Sequence, residues 1–484
     1  MTSTSLATPA ASVTPDMAPA ASLTARICER IVAAAQTPLE GDLLRAARQL
    51  FLDGLAVAVA GARLEHSPRL LLEHFKDPLT GSGSGATAAV LGLDDRLGTI
   101  AAAMVNGASM HVLDFEPMWV PATHALSPAL AATLALGEAI GASGAQLLKA
   151  MVLGIEIQGR LRQAAGKLQS HQLKFHPPGF VGPIGAAVAC GYLLDFTAEQ
   201  YANAIGIAGS RCGSLFVNLG TMTKSSHCAY AAAAGLEAAL LTRRCFTATQ
   251  TLFDEAPQSY GDAFFPVGFQ GERLLEFGRP FRVLDPGYAI KVFPAKFTTH
   301  YAITAALLAR PQIPDLAAVK QIRMRAADVP SSDRPHPKGG LDGKFSLQYT
   351  AAAALVDGQV GLSTFTDEML ARPAMQSLLG KMQVTLSRDI PSIYTEGRYL
   401  EMEVELDDGT VVCTRCDRPR GSWGAEPITE QEHHAKARDC LATWLDAAAV
   451  EHCVAACDRI EQLDSRGVAE LLALASSGRL DPPV

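Results

Sequence analysis

Three stretches of this chain, residues 128–140, 184–194 and 230–241, are Ala-rich and apolar on nearly every face of a helical wheel. Helices of that kind have no polar side to offer water, so they must be surrounded by other helices. Three of them demand a large helical assembly, and small side chains let helix axes approach closely. Hydrophobic residues make up 48% of the chain but aromatics only 6%, so alanine-lined contacts carry the core. At 484 residues with 19% charged side chains, the chain accommodates two or three domains and is not disordered as a whole.

Apolar residues first fall into helical register at Leu23, Ile27 and Ile31, with Arg26, Glu29 and Arg30 turned elsewhere, which predicts an amphipathic first helix. Residues 1–22 are almost wholly Ala, Ser, Thr and Pro, without lysine, arginine or an apolar segment. They predict a disordered tail rather than a targeting signal, and with it a cytoplasmic location. The texture changes after about residue 281. Ile322, Met324 and Ala326 alternate with Arg323 and Arg325, and Met382, Val384 and Leu386 alternate with polar residues, the period of half-buried strands. Residues 400–406, the turn Asp407, Asp408, Gly409 and residues 410–416 predict a hairpin. Past Pro427 the pattern is helical again, over 435–445 and 468–475, so the chain returns to the first domain. The fold class expected is mainly α, with a large helical domain formed by both chain ends and a smaller inserted α/β domain.

Acidic side chains number 49 against 41 basic, a net charge of −8, which argues against a nucleic-acid partner. The longest uncharged stretches, 117–137 and 175–194, are interrupted by His124, His176 and prolines, so no membrane span is expected. Ten cysteines are scattered through apolar sequence and read as reduced. Cys413 and Cys416 form an isolated CxxC, but residues three apart in a strand point to opposite faces.

Four polar groups interrupt the apolar sequence. The first runs from His111 through Asp114, Glu116 and Met118 to His124, between two buried-looking helices. The second is Lys174, Phe175, His176, Pro177 and Pro178, where the prolines hold a histidine near a helix start. The third, Thr223, Lys224, Ser225, Ser226 and His227, sets a lysine and hydroxyls at another helix start, and the spacing is wrong for a Walker loop. The fourth, Lys291 to Lys296 and on to His300, lies at the junction with the α/β part, where pockets form. Each has a plainer reading, as an N-cap acid, a packed histidine or solvated lysines. Together, without a metal or redox cofactor motif, they suit proton transfer next to a carboxylate, with lysine and imidazolium neutralising the substrate and an Asp/His pair moving protons.

At these groups the chain resembles the MmgE/PrpD family. The carriers are Leu113, Asp114 and Phe115 with Pro121 to His124, then Gly154 to Arg160, Phe175 to Pro178, Thr223 and Lys224, Lys291 to Ala295, and Lys344 to Ser346. The resemblance implies a cofactor-independent, metal-free enzyme and usually a homodimer. It also implies a helical domain over 23–285 and 427–484 with a lid domain over 286–426. The family's reactions are dehydration of 2-methylcitrate, decarboxylation of cis-aconitate to itaconate and epimerisation of iminodisuccinate. The decarboxylating type is the most similar around His124, Arg160 and His176. By that resemblance Asp114, His124, His176 and Lys224 are catalytic, with His124 as acid/base. Lys296 is an added catalytic cation, while Met118, Arg160, Lys291 and His300 are expected to contact substrate. Met118 stands where the decarboxylating type has threonine, and Lys296 where it has histidine and the dehydrating type tends to have glutamate. The expectation is thus a lyase of a small di- or tricarboxylate, with a non-catalytic carboxylate binder as the alternative of another class.

Overall fold

A computed structural model describes residues 21–80, 87–166 and 172–479; apart from its last two residues, the tail expected over 1–22 lies outside them. The first helical mass comprises α1 (Leu23–Ala35), α2 (Gly41–Leu64), α3 (His66–Lys76), α4 (Thr99–Val112), α5 (Leu126–Ile140), α6 (Gly144–Ala164), α7 (Pro177–Leu193), α8 (Ala198–Gly209), α9 (Met222–Thr242) and the short α10 (Tyr260–Phe264). The three all-round apolar segments lie in α5, α7 and α9. A small antiparallel hairpin, β1 (Ala88–Val90) and β2 (Asp95–Leu97), sits between α3 and α4, a feature its short run of apolar residues did not announce.

Close helix contacts explain the small residues. Helix α7 packs on both α6 and α9, and α4 on α2, α5 and α9. A Cβ on Gly235 of α9 would stand 2.3 Å from the Pro183 carbonyl of α7, and one on Gly61 of α2 would stand 1.9 Å from Ser109 O of α4. Pro183, inside α7, cannot donate to the Gly179 carbonyl; that oxygen accepts from the Gly213 N–H at 3.0 Å instead.

The second unit begins with α11 (Phe297–Ala309) and β3 (Val319–Ala327), continues through α12 (Gly340–Gly343), α13 (Leu347–Asp357), α14 (Asp367–Ala371) and α15 (Pro373–Leu379), and ends with β4 (Met382–Ser387), β5 (Leu400–Leu406) and β6 (Val411–Cys416). Its sheet has the order β4-β3-β5-β6, with β3 parallel to β4 and antiparallel to β5. The predicted alternation is visible: Ile322, Met324 and Ala326 are buried, while Arg323 reaches Glu405 at 2.9 Å on the outer face. Helices α11 and α13 pack together, α11 covering β5 and β6. The 400–416 hairpin closes through Leu406 N–H to Thr410 O at 2.8 Å, with Gly409 at φ 86°. Cys413 is exposed and Cys416 buried, and all ten cysteines are free.

Helices α16 (Glu430–Leu441), α17 (Ala447–Cys457) and α18 (Ser465–Ser477) return to pack on α2. One buried apolar cluster extends from Ile27 to Val283 and resumes over Ala437 to Ala475, while a separate one runs from Ala295 to Cys416. Polar contacts join the two units: Lys344 Nζ lies 2.5 Å from Glu65 Oε1, and Arg334 Nη2 donates to Leu219 O at 3.1 Å. No helix among the described residues is long and apolar enough to cross a membrane.

Candidate active site

A cavity of about 350 Å³ opens where the two units meet. The helical unit contributes Asp114, Met118, Thr123, His124, His176 and Lys224 to its wall; the α/β unit contributes Lys296, Thr298, Ser331, Phe345, Tyr394 and Arg398. Four helices begin at this cavity. His124 lies two residues before α5, His176 caps α7 ahead of Pro177 and Pro178, Lys224 is in the first turn of α9, and Lys296 caps α11. The positive ends of four helix dipoles therefore gather at the same space, which favours an anionic ligand.

Asp114 terminates α4. Its φ of 52° is the left-handed conformation that ends a helix, and aspartate tolerates it better than most side chains. The turn aims the carboxylate at two ammonium groups: Lys224 Nζ donates to Oδ2 at 2.6 Å, and Lys291 Nζ donates to Oδ1 and, at 2.8 Å, to the Asp114 carbonyl. Burial alone would raise the Asp114 carboxyl, but Lys224 and Lys291 hold it well below the usual range. Lys291 is wholly buried behind Asp114 and does not reach the cavity wall.

His124 belongs with a different carboxylate. Its Nδ1 lies 2.9 Å from Glu116 Oε1, at ion-pair distance but without the alignment of a full hydrogen bond, whereas its Nε2 is 3.9 Å from Asp114 Oδ1. The same Glu116 oxygen makes a short contact with His111 Nδ1 and accepts from Ser127 Oγ at 3.4 Å. The Asp114–His124 proton pair expected from the sequence is thus corrected to Glu116–His124, because Asp114 is occupied by the two lysines. The rings of His111, His124 and His176 cluster at 4.6–5.9 Å, and His176 Nδ1 meets His227 Nδ1 at 3.1 Å.

Burial favours the neutral form of these imidazoles. Burial, then the Lys224 charge, pushes His111 down to about 3 and His227 down to about 4; the same causes hold His176 well below its ordinary value. Burial also lowers His124, against the opposing Glu116. The imidazolium expected to neutralise substrate is therefore replaced by neutral rings that accept or donate a hydrogen bond. Lys296 is pushed down to about 7 by burial, then by Arg334, with Arg398 and Lys224 acting in the same sense, and its Nζ donates to Ser331 Oγ at 2.7 Å.

Two sets of potential metal donors exist among the described residues, His111/His124/His176 and Asp114/Glu116/His124, each with atoms within 4.8 Å. In the second, Asp114 is already neutralised by two ammonium groups. In the first, burial lowers all three rings and the nearby charges of Lys224 and Lys291 act in the same sense, and those ammonium groups equally oppose a divalent cation.

Besides Lys291, two more of the four substrate contacts expected from the sequence do not reach the cavity. Arg160 is held by Glu156 at 2.7 Å and Glu276 at 2.9 Å, and braces Gln163 and the Pro280 carbonyl. His300 is buried against Phe293 and Phe297, with Nε2 3.3 Å from Ala295 O. Met118 does line the wall, held by a two-way backbone pairing with Ala289. Glu116, His111, His227, Thr123 and Arg398 were not assigned roles from the sequence. The first two sit in its densest polar group, whereas Arg398 lies in a loop with no local signal.

Comparison with known proteins agrees with this layout. The MmgE/PrpD N-terminal domain profile matches residues 25–270, and the C-terminal domain profile matches 293–460. The chain belongs to the MmgE/PrpD family. It is 30% identical to cis-aconitate decarboxylase of Mus musculus over 445 residues, covering 89% of each chain. It is 32% identical to the Homo sapiens protein of that name, over 78% of this chain and 79% of that one. A mitochondrial 2-methylcitrate dehydratase of Yarrowia lipolytica is 24% identical over 76% of this chain and 74% of its own. These relatives are lyases by name, and the C-terminal profile extends into the helices that pack on α2.

Proposed function

We propose that this chain is a metal- and cofactor-independent lyase that decarboxylates cis-aconitate, or a close polycarboxylate, to itaconate or its counterpart. The observation that carries the reading is a cation-rich, helix-N-terminal cavity in which neutral imidazoles and a lysine titrating near pH 7 face the same space. Similarity over 78–89% of the chain to proteins named for that reaction supports it.

The chemistry follows from the residues. In cis-aconitate the carboxylate on the methylene carbon is allylic to the double bond. When its C–C bond breaks, CO2 leaves and the electron pair becomes the new terminal C=C. The old double-bond pair moves to the carbon beside a remaining carboxylate, where it takes up a proton. Lys224, oriented by Asp114, and the helix N-termini hold the remaining carboxylates and the charge that builds on them. Lys296 delivers the proton, since a donor with a pKa near the working pH is both protonated and able to let go. His124, oriented by Glu116, and His176, oriented by His227, hydrogen-bond the substrate beside that carbon. Phe216, Leu219 and Phe297 line the cavity with apolar surface, which favours turning a carboxylate into neutral CO2 over retaining it.

A second reading rests on Lys296 alone. In its amine form it is a base, as dehydration of a 2-methylcitrate-like acid requires. NMR of purified protein with cis-aconitate, 2-methylcitrate, citrate and iminodisuccinate separates the cases: itaconate supports decarboxylation, loss of water supports the dehydratase, and binding without turnover of any of the four refutes both.

A further inference from the structure

The loop between β4 and β5 carries Arg398, which is 3% exposed and lines the cavity. Two less deeply placed lid arginines are neutralised, Arg334 by Asp342, and Arg372 by Asp357 at 2.7 Å. No carboxylate pairs with Arg398 among the described residues. Among the described residues its guanidinium donates from Nη1 to Ser392 O at 2.9 Å, and it lies against Tyr394 at 4.7 Å and Tyr301 at 5.2 Å. Tyr394 is itself fixed by its hydroxyl, 3.1 Å from Thr298 Oγ1, and by an edge contact with Phe297 at 5.0 Å. Rigid aromatic faces thus aim a buried guanidinium at the cavity without satisfying its charge. The acidic residue of the lid wall, Asp328, is engaged by Arg388 at 3.0 Å.

An arginine taken out of water without a counter-ion is costly to hold, and its fork of donors matches a carboxylate edge-on. Lys224, His124 and His176 stand on the helical wall, whereas Arg398 and the proton donor Lys296 stand on the lid wall. We propose that Arg398, with Lys296 beside it, forms a lid-borne carboxylate subsite that holds a second carboxylate of the substrate, one that is not lost, and so selects tricarboxylates over dicarboxylates. The proposal rests on the polycarboxylate reading above and deepens it. Binding energy at this subsite also draws the lid onto the catalytic wall, since the same ligand then touches both units.

Calorimetric titration of the full chain with two unreactive acids tests it. Tricarballylate carries three carboxylates, and glutarate has the same five-carbon chain without the middle one. Wild-type protein is expected to bind tricarballylate at least tenfold more tightly, Arg398→Gln to lose that preference to within about twofold, and Arg398→Lys to keep part of it. Thermal melts of both variants report whether the fold is intact. Equal weakening of both acids in Arg398→Gln, or an unchanged preference, overturns the subsite while leaving the polycarboxylate reading standing. Failure of wild-type protein to bind either acid overturns the subsite and that reading together.

Discussion

Asp114→Asn isolates the carboxylate on which the site is built. Asparagine keeps the left-handed backbone at φ 52° without new strain, since Asn and Asp share that preference. What it removes is the charge between Lys224 and Lys291, both buried. Removing one partner of a buried ion pair costs about 3–5 kcal/mol, because the other charge is left in a poorly solvating place. The cost per lysine has a ceiling: deprotonating an ordinary lysine at pH 7 takes about 5 kcal/mol, and a buried ammonium sheds its proton rather than exceed that. Lys291, already lowered by burial against the pull of Asp114, is the one that neutralises. A loss of about 3–5 kcal/mol is therefore expected in urea unfolding at pH 7, followed by tryptophan fluorescence because Trp119 is buried near the site. The loss should shrink as pH approaches 10, where Lys291 discharges at little cost. Adding Lys291→Met to Asp114→Asn should recover more than half of it. A loss below about 1 kcal/mol, or no recovery in the double variant, would refute the claim that Asp114 is the shared counter-ion.

Four further outcomes follow from the site. Lys296, depressed from 10.5 to about 7, destabilises the fold most fully below pH 7 and progressively less as pH rises toward 10.5; Lys296→Met should therefore raise the melting temperature at pH 6 and leave it nearly unchanged at pH 10.5. Turnover should fall above pH 7 in the wild type, and a residual activity in Lys296→Arg, which cannot lose its proton, should show no such limb. Glu116→Gln should lower kcat by about 10²–10⁴ with KM within a few-fold, as for other carboxylates that orient a catalytic histidine; steady-state kinetics within tenfold of wild type would remove Glu116 from that role. Met118→Thr should raise kcat/KM on cis-aconitate by about tenfold through one added hydrogen bond and lower stability by about 1–3 kcal/mol through lost buried volume, both read on one preparation.

Much of the architecture was legible because it rests on periodicity. The all-round apolar segments within α5, α7 and α9 could only be interior helices, and the alternation around Ile322 and Met402 could only be half-buried strands. The histidine and lysine positions were legible because prolines and hydroxyls mark helix starts, and those starts converge. Pairing within the site was not. Nothing in the spacing shows that Asp114 is taken by Lys224 and Lys291, 110 and 177 residues away, leaving Glu116 for His124. The neutrality of the histidines likewise depends on burial and on the Lys224 field, neither of which is local in sequence. Arg160 was misleading for the same reason, because its partners Glu276 and Pro280 come from a distant turn. Arg398 carries no local pattern at all and becomes visible only when its loop closes over the cavity.

The central claim is that the chain breaks an allylic C–C bond and protonates the carbon beside a remaining carboxylate. Incubation of purified protein with cis-aconitate in deuterated buffer, followed by NMR and mass analysis, tests it directly. The account predicts itaconate with one deuterium in its saturated methylene and none in the vinylic carbon, formed by wild-type protein and lost in a folded His124→Ala variant. Itaconate labelled at the vinylic position, equal turnover by His124→Ala, or unchanged cis-aconitate after prolonged incubation would contradict it.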